Sequence, residues 1–121
     1  MKVNLSDAEW KIMELLWEKQ PRTMMDITKA LTDDTGWSKH TVMTYLKRME
    51  EKGALHYEEG ARAKQYYADL DRKEVVVKET EHFLSKVFKG KMGLMLNTMV
   101  EQNAISKEEI QELYDILEKG K

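Results

Sequence analysis

The chain of 121 residues has no cysteine, a single proline and six glycines. Without cysteine there are no disulfides, no thiolate metal sites and no cysteine nucleophile, and a reducing compartment is in keeping. Sparse proline and glycine, with charged residues at 35%, suit a mostly helical chain. No apolar run approaches the roughly 20 residues that cross a bilayer, so no membrane insertion is expected. The opening Met1-Lys2-Val3-Asn4-Leu5 soon gives way to charged residues and lacks the apolar stretch of a signal peptide. The expected location is the cytoplasm.

An excess of positive charge is also missing: 20 Lys and Arg face 22 Asp and Glu, for a formal net charge of −2. That argues against non-specific coating of nucleic acid, but leaves room for a local basic patch. Phosphate-loop and dinucleotide glycine patterns are absent. His40, His56 and His82 have no ligand spacing, so neither metal nor cofactor is expected. Asp33-Asp34 and Glu50-Glu51 are adjacent carboxylates that do not face one another, and no enzyme is expected.

What is present is a sequence of helix signals. Ser6 with Glu9 three residues later forms a capping box, and Leu5 and Trp10 take the staple positions. Trp10, Met13, Leu16 and Trp17 recur at helical spacing until Pro21 ends the helix. Thr23 with Asp26 caps a second helix, whose stripe is Met24, Ile27, Ala30 and Leu31. Thr32-Asp33-Asp34-Thr35-Gly36 reads as a turn by composition. Ser38 caps a third helix with Val42, Tyr45, Leu46 and Met49 as its buried side, and Gly53 stands at its C-terminal end.

The period then shortens. Leu55 and Tyr57 alternate with His56 and Glu58 as a strand; residues 59–64 form a charged tip; Gln65-Tyr66-Tyr67-Ala68 returns. Beyond Asp71 the pattern is helical again, punctuated by Gly90 and Gly93 and broken at Gln102-Asn103-Ala104. Ser106 and Glu109 make a second capping box before the face of Ile110, Leu113, Ile116 and Leu117. The expected fold is mainly α with a small two-stranded β-hairpin: a winged helix-turn-helix over residues 1–70, then a helical dimerisation region over residues 71–121.

The third helix is the expected reading helix. At about 100° per residue, His40, Thr44 and Lys47 stand opposite the apolar side, Met43 flanks them, and Thr41 and Arg48 lie at the other edge. Hydroxyls and cations suit base edges and phosphates, and methyl-bearing side chains suit thymine. The basic groups are Lys39, Lys47, Arg48 and Lys52; Glu50 and Glu51 oppose them only near the C-terminal end. The candidate DNA contacts are Ser38, Lys39, His40, Thr41, Met43, Thr44, Lys47 and Arg48, with Arg62 and Lys64 from the wing.

Leu5 to Trp10 with Trp17, then Gly36-Trp37-Ser38, Thr41, Val42, Thr44, Leu46, Arg48, Lys52 and Gly53, Gln65-Tyr66-Tyr67, Val87-Phe88-Lys89-Gly90 and Glu108 to Leu113 together resemble the penicillinase-repressor family, and within it the BlaI/MecI branch. The resemblance runs through nearly the whole chain in order. It implies a homodimer that binds double-stranded operator DNA at an inverted repeat and blocks transcription of β-lactam resistance genes. It also implies a membrane sensor metallopeptidase as partner, whose signal ends in cleavage of the repressor's C-terminal region. The copper-sensing CopY type binds metal through C-terminal cysteines, which this chain lacks. The family's cleavage point is an Asn-Phe bond. The corresponding segment here is Asn97, Thr98 and Met99, with no phenylalanine and one extra residue before the last helix.

The final helices carry more apolar positions than short helices can bury against one another. Phe83, Leu84, Met95, Leu96, Met99, Ile110, Leu113 and Leu117 are the expected dimer contacts. The alternative reading is a winged-helix protein-interaction adaptor without DNA binding.

Overall fold

A serine and a glutamate begin the architecture. In the computed structural model, which describes residues 4–120, Ser6 Oγ accepts from the Glu9 amide at 3.2 Å and Glu9 Oε1 accepts from the Ser6 amide at 2.9 Å. This reciprocal box starts α1 (Asp7–Glu18). The opening Met1-Lys2-Val3, on which the absence of a leader was read, lies outside the described residues. Thr23 and Asp26 build the same box for α2 (Met24–Thr35). Ser38 caps α3 (Lys39–Glu51), and β1 (Leu55–Glu59) and β2 (Lys64–Ala68) follow. Three further helices complete the chain: α4 (Arg72–Phe88), α5 (Met92–Glu101) and α6 (Lys107–Lys119). The fold is a winged helix-turn-helix followed by helices.

The chain divides into two compact units, Met1–Val75 and Val76–Lys121. In the first, Ile12, Met13, Leu16, Ile27, Leu31, Val42, Leu46, Met49, Ala54, Leu55 and Tyr66 form one core. At roughly 1.5–3 kcal/mol for each fully buried large side chain, this cluster is the main source of the unit's stability. The second unit has no such cluster: none of α4, α5 or α6 contains a buried residue. Phe83, Val87, Met92, Leu94, Val100, Ile110, Leu113, Tyr114, Ile116 and Leu117 are all exposed there.

The strands pair antiparallel with Leu55 opposite Ala68 and Glu59 opposite Lys64. Both ends of the segment read as a tip therefore belong to the ladder, and only residues 60–63 turn. Gly60 is required there, since a Cβ would collide with the Ala63 carbonyl oxygen. A third edge comes from one residue between α1 and α2: Arg22 and Tyr66 exchange two backbone hydrogen bonds, at 3.2 and 2.8 Å. The Arg22 guanidinium donates to the Leu15 and Lys19 carbonyls at 2.9 and 3.0 Å, closing the C-terminal end of α1. The Gln20 side chain accepts from the Ala68 amide at 2.7 Å.

Four expectations are corrected. Thr32 to Thr35 is the last turn of α2, not a loop. Thr28, Thr32 and Thr35 each donate a hydroxyl to the carbonyl four residues back, so these hydroxyls are satisfied inside the helix. Asp34 is held by Lys11 at 2.7 Å. Gly36, with φ of 70°, then ends the helix in the left-handed region. Gly93 lies inside α5 rather than punctuating it. Tyr45 is only half-buried, packed at the edge of the core beside the Trp37 ring, and Ala30 is exposed. Lys52 does not join the outward basic set: its ammonium donates to Glu9 Oε1 and to the Asn4 carbonyl, each at 2.8 Å.

Glu9 is 1% exposed. Burial opposes its ionisation, but the hydrogen bonds from Lys52 and Ser6 outweigh this and hold its carboxyl below the ordinary glutamate range. A depressed folded-state pKa contributes stability that is present above the unfolded value and lost as pH falls through the folded one. Glu9→Gln should therefore lower stability at neutral pH by about 1–2 kcal/mol, with the gap to wild type closing in acid. Urea titrations between pH 7 and pH 3 read this out. A gap that stays constant across that range would show that the carboxylate contributes nothing through its charge.

Candidate nucleic-acid interface

Turn chemistry aims the third helix. After Gly36 the Trp37 amide donates to Thr35 Oγ1 at 3.1 Å. The Trp37 ring packs 5.0 Å from Tyr45, which ties the turn to the first part of α3. Ser38 Oγ accepts from the Thr41 amide at 3.2 Å and lies 3.2 Å from Thr41 Oγ1. Two expected contact residues thus have hydroxyls engaged in the cap. Ser38 stays exposed, while Thr41 is half-buried.

With Val42, Leu46 and Met49 in the core, the opposite side of α3 is set by geometry. Lys39, His40, Met43, Thr44, Lys47 and Arg48 are all exposed. Met43 is 45% exposed despite being apolar. Thr44 Oγ1 donates to the His40 carbonyl at 3.1 Å, leaving its lone pairs outward. The Arg48 guanidinium lies 5.6 Å from the Tyr45 ring centroid. Lys39 and Lys47 make no ion pair among the described residues. The first turn contains no acid, so the positive end of the helix dipole is uncompensated there.

The wing contributes unevenly. Arg62 is exposed at the turn. Lys64 sits in the ladder opposite Glu59, with its ammonium 4.1 Å from the Tyr57 ring centroid. Electrostatic interaction with Tyr57 raises the Lys64 pKa, so it stays cationic. Burial pushes the Tyr66 phenol up, which keeps it neutral. Met43 and Lys64, distant in sequence, line a groove of about 270 Å³ together with Thr23, Met24, Met25, Ala63 and Tyr66. Thr23 and Met25 were not among the expected contacts. The available signal was Met25, an apolar residue one place off the buried stripe of α2.

The expected dimer residues all fall in the second unit. Phe83, Ile110, Leu113 and Leu117 are exposed, and Leu84, Met95, Leu96 and Met99 are half-buried. Asn97 and Thr98 are exposed in the middle of α5: the Asn97 amide donates to Glu101 at 3.0 Å and the Thr98 hydroxyl to the Leu94 carbonyl at 3.0 Å. No helix among the described residues is long and apolar enough to cross a membrane. No cluster of His, Cys, Asp or Glu among them could hold a metal ion.

A capped, outward-facing helix with cations and no early acid, backed by a hairpin, is the arrangement of a winged-helix protein suited to DNA. The chain belongs to the penicillinase repressor family, whose family model matches residues 5–119. It is 32% identical over 117 residues to the penicillinase repressor of Bacillus licheniformis, covering 97% of this chain and 91% of that protein. It is 30% identical over 115 residues to the methicillin resistance regulatory protein MecI of Staphylococcus aureus, covering 95% and 94%. Among solved structures it is similar to the monomeric form of Bacillus licheniformis BlaI in complex with the blaP half-operator. That likeness has a TM-score of 0.53 and 29% identity, and covers 60% of this chain and 88% of that one. The family consists of transcriptional repressors, not enzymes.

Proposed function

We propose that this chain acts as a homodimeric repressor on an inverted-repeat operator, controls β-lactam resistance genes, and is inactivated by proteolysis in its C-terminal helices. The observation that carries the DNA-reading role is the acid-free exposed face of α3, from Lys39 to Arg48. His40, Thr44 and Met43 contact base edges; Ser38, Lys39, Thr41, Lys47 and Arg48 hold phosphates or the groove wall; Arg62 and Lys64 reach the backbone from the wing. The net charge of −2 favours an adaptor, but on this face acid is confined to the C-terminal end, where Glu51 lines the same surface as His40, Met43, Thr44, Lys47 and Arg48. The link to β-lactam resistance is supported by the names of the relatives, a penicillinase repressor and a methicillin resistance regulator.

Dimerisation is supported by the second unit's exposed apolar side chains, which need a covering surface. Two copies double the contacts, as a two-fold operator requires. A membrane sensor metallopeptidase is the proposed partner for cleavage within Asn97, Thr98 and Met99. These residues lie inside α5, so the helix has to open before a protease can accept the backbone.

Three outcomes are expected. Lys47→Ala weakens binding across all DNA sequences and reduces the slope of log affinity against log salt by about 0.9. Fluorescence anisotropy at several salt concentrations measures it, and an unchanged slope removes Lys47 as a phosphate contact. Leu113→Asp halves the mass seen by light scattering and weakens operator binding; a fully dimeric, tightly binding mutant counts against the α6 interface. Incubation with the activated cognate sensor, followed by fragment sequencing, places the cut between Asn97 and Val100, and a cut elsewhere refutes the assignment.

A further inference from the structure

We infer that Glu9 and Lys52 are positioning residues for the reading helix: they hold the C-terminal end of α3 at a defined angle and touch no DNA. This rests on the reading of α3 as the DNA-contacting element.

Lys52 is the C-cap residue of α3. Its ammonium binds the Asn4 carbonyl and Glu9 Oε1, each at 2.8 Å. Glu9 Oε1 also accepts from the Ser6 amide at 2.9 Å. One carboxylate oxygen therefore joins the first turn of α1 to the last turn of α3, and Lys52 adds the segment leading into α1. The other oxygen, Oε2, is buried without a hydrogen-bond partner among the described residues. Replacing a buried ion pair with an apolar pair is often neutral for stability, so stability alone does not account for this pair. What an apolar pair lacks is direction. The core contacts of Val42, Leu46 and Met49 seat α3 against its neighbours but supply no directional bond at its C-terminal end. The Lys52 hydrogen bonds to Glu9 and Asn4, which lie outside the helix, supply that direction at the C-terminal end.

The length of α3 makes the tilt matter. Its 13 residues extend about 20 Å at 1.5 Å each. A tilt of about 10° displaces the far end by about 3 Å, more than a hydrogen bond to a base edge tolerates. The pair therefore acts on sequence discrimination through the placement of His40, Met43 and Thr44, which lie 8 to 12 residues before Lys52.

The test uses the full chain and a fluorescent duplex enriched from a random-sequence library by the wild-type protein, with a scrambled duplex as reference. Binding is measured by anisotropy well below the melting temperature of each variant. Lys52→Met should reduce the ratio of selected to scrambled affinity about tenfold or more while the salt slope stays at the wild-type value. Lys52→Arg should restore most of that ratio. A merely structural role would lower the melting temperature and leave the ratio unchanged. An unchanged ratio in folded Lys52→Met overturns the inference. So does a salt slope reduced by about 0.9, which would mark Lys52 as a phosphate contact. If Lys52→Met does not fold, Glu9→Gln decides: a loss of discrimination with the fold intact supports the lock, and full discrimination overturns it. Lys47→Ala with wild-type affinity and salt slope, beside a Lys52→Met that loses discrimination, would locate the failure in the DNA-contact reading of α3 and withdraw the inference with it.

Discussion

One small apolar core, from Ile12 to Tyr66, has to hold three helices and a hairpin. A cluster of this size orders the elements but leaves their ends underdetermined, because burial of apolar area carries no direction. The ends are settled by polar fasteners instead: the Ser6–Glu9 and Thr23–Asp26 boxes, the Ser38 cap, the Arg22 guanidinium on the last carbonyls of α1, and Lys52 on Glu9. The boxes and the Ser38 cap give acceptors to amides stranded at helix N-termini, the Arg22 guanidinium gives a donor to the last carbonyls of α1, and Lys52 gives a cation to the buried Glu9 carboxylate. Together with the core they give α3 an inner side that is fully engaged and an outer side that is left to solvent.

That division explains how a chain of net charge −2 presents a cationic surface. Asp34 is held by Lys11, Glu18 by Arg22, Glu14 by Arg72 and Glu9 by Lys52. Lys39 stays outward in the acid-free first half of α3, Lys47 stays outward one turn before Glu51, and Arg48 rests against an aromatic ring. Charge that counts for DNA is local within a screening length of about 10 Å at 0.1 M salt, so the position of each cation outweighs the sum over the chain. The second unit shows the complementary situation. Its helices bury nothing, and their apolar side chains stay exposed.

Much of this was readable along the chain. Capping boxes and 3.6-residue stripes are local, and Ser6, Thr23, Ser38 and Ser106 cap the helices expected of them. The alternation of Leu55 and Tyr57 with His56 and Glu58 marks a strand that does form. Other features escaped because their partners are remote. The threonine-rich end of α2 looks like a turn until its hydroxyls are seen bonding back into the helix and Leu31 is seen in the core. The bridge between Arg22 and Tyr66 is a single residue wide and leaves no period to detect. The groove that joins Met43 to Lys64 exists only once the hairpin folds beside α3.

By itself the sequence determined the order of helices and strands, the caps that start them, the outward set on α3 and the membership of a repressor family, because all of these depend on neighbours within about four residues or on matching residues in order. The tertiary structure decided which of the like charges were available. Lys47 in α3 and Lys52 at its C-cap are the same residue type five places apart. Only packing against α1 turns Lys52 inward onto Glu9, because a buried carboxylate requires a cation and a distant segment supplies it.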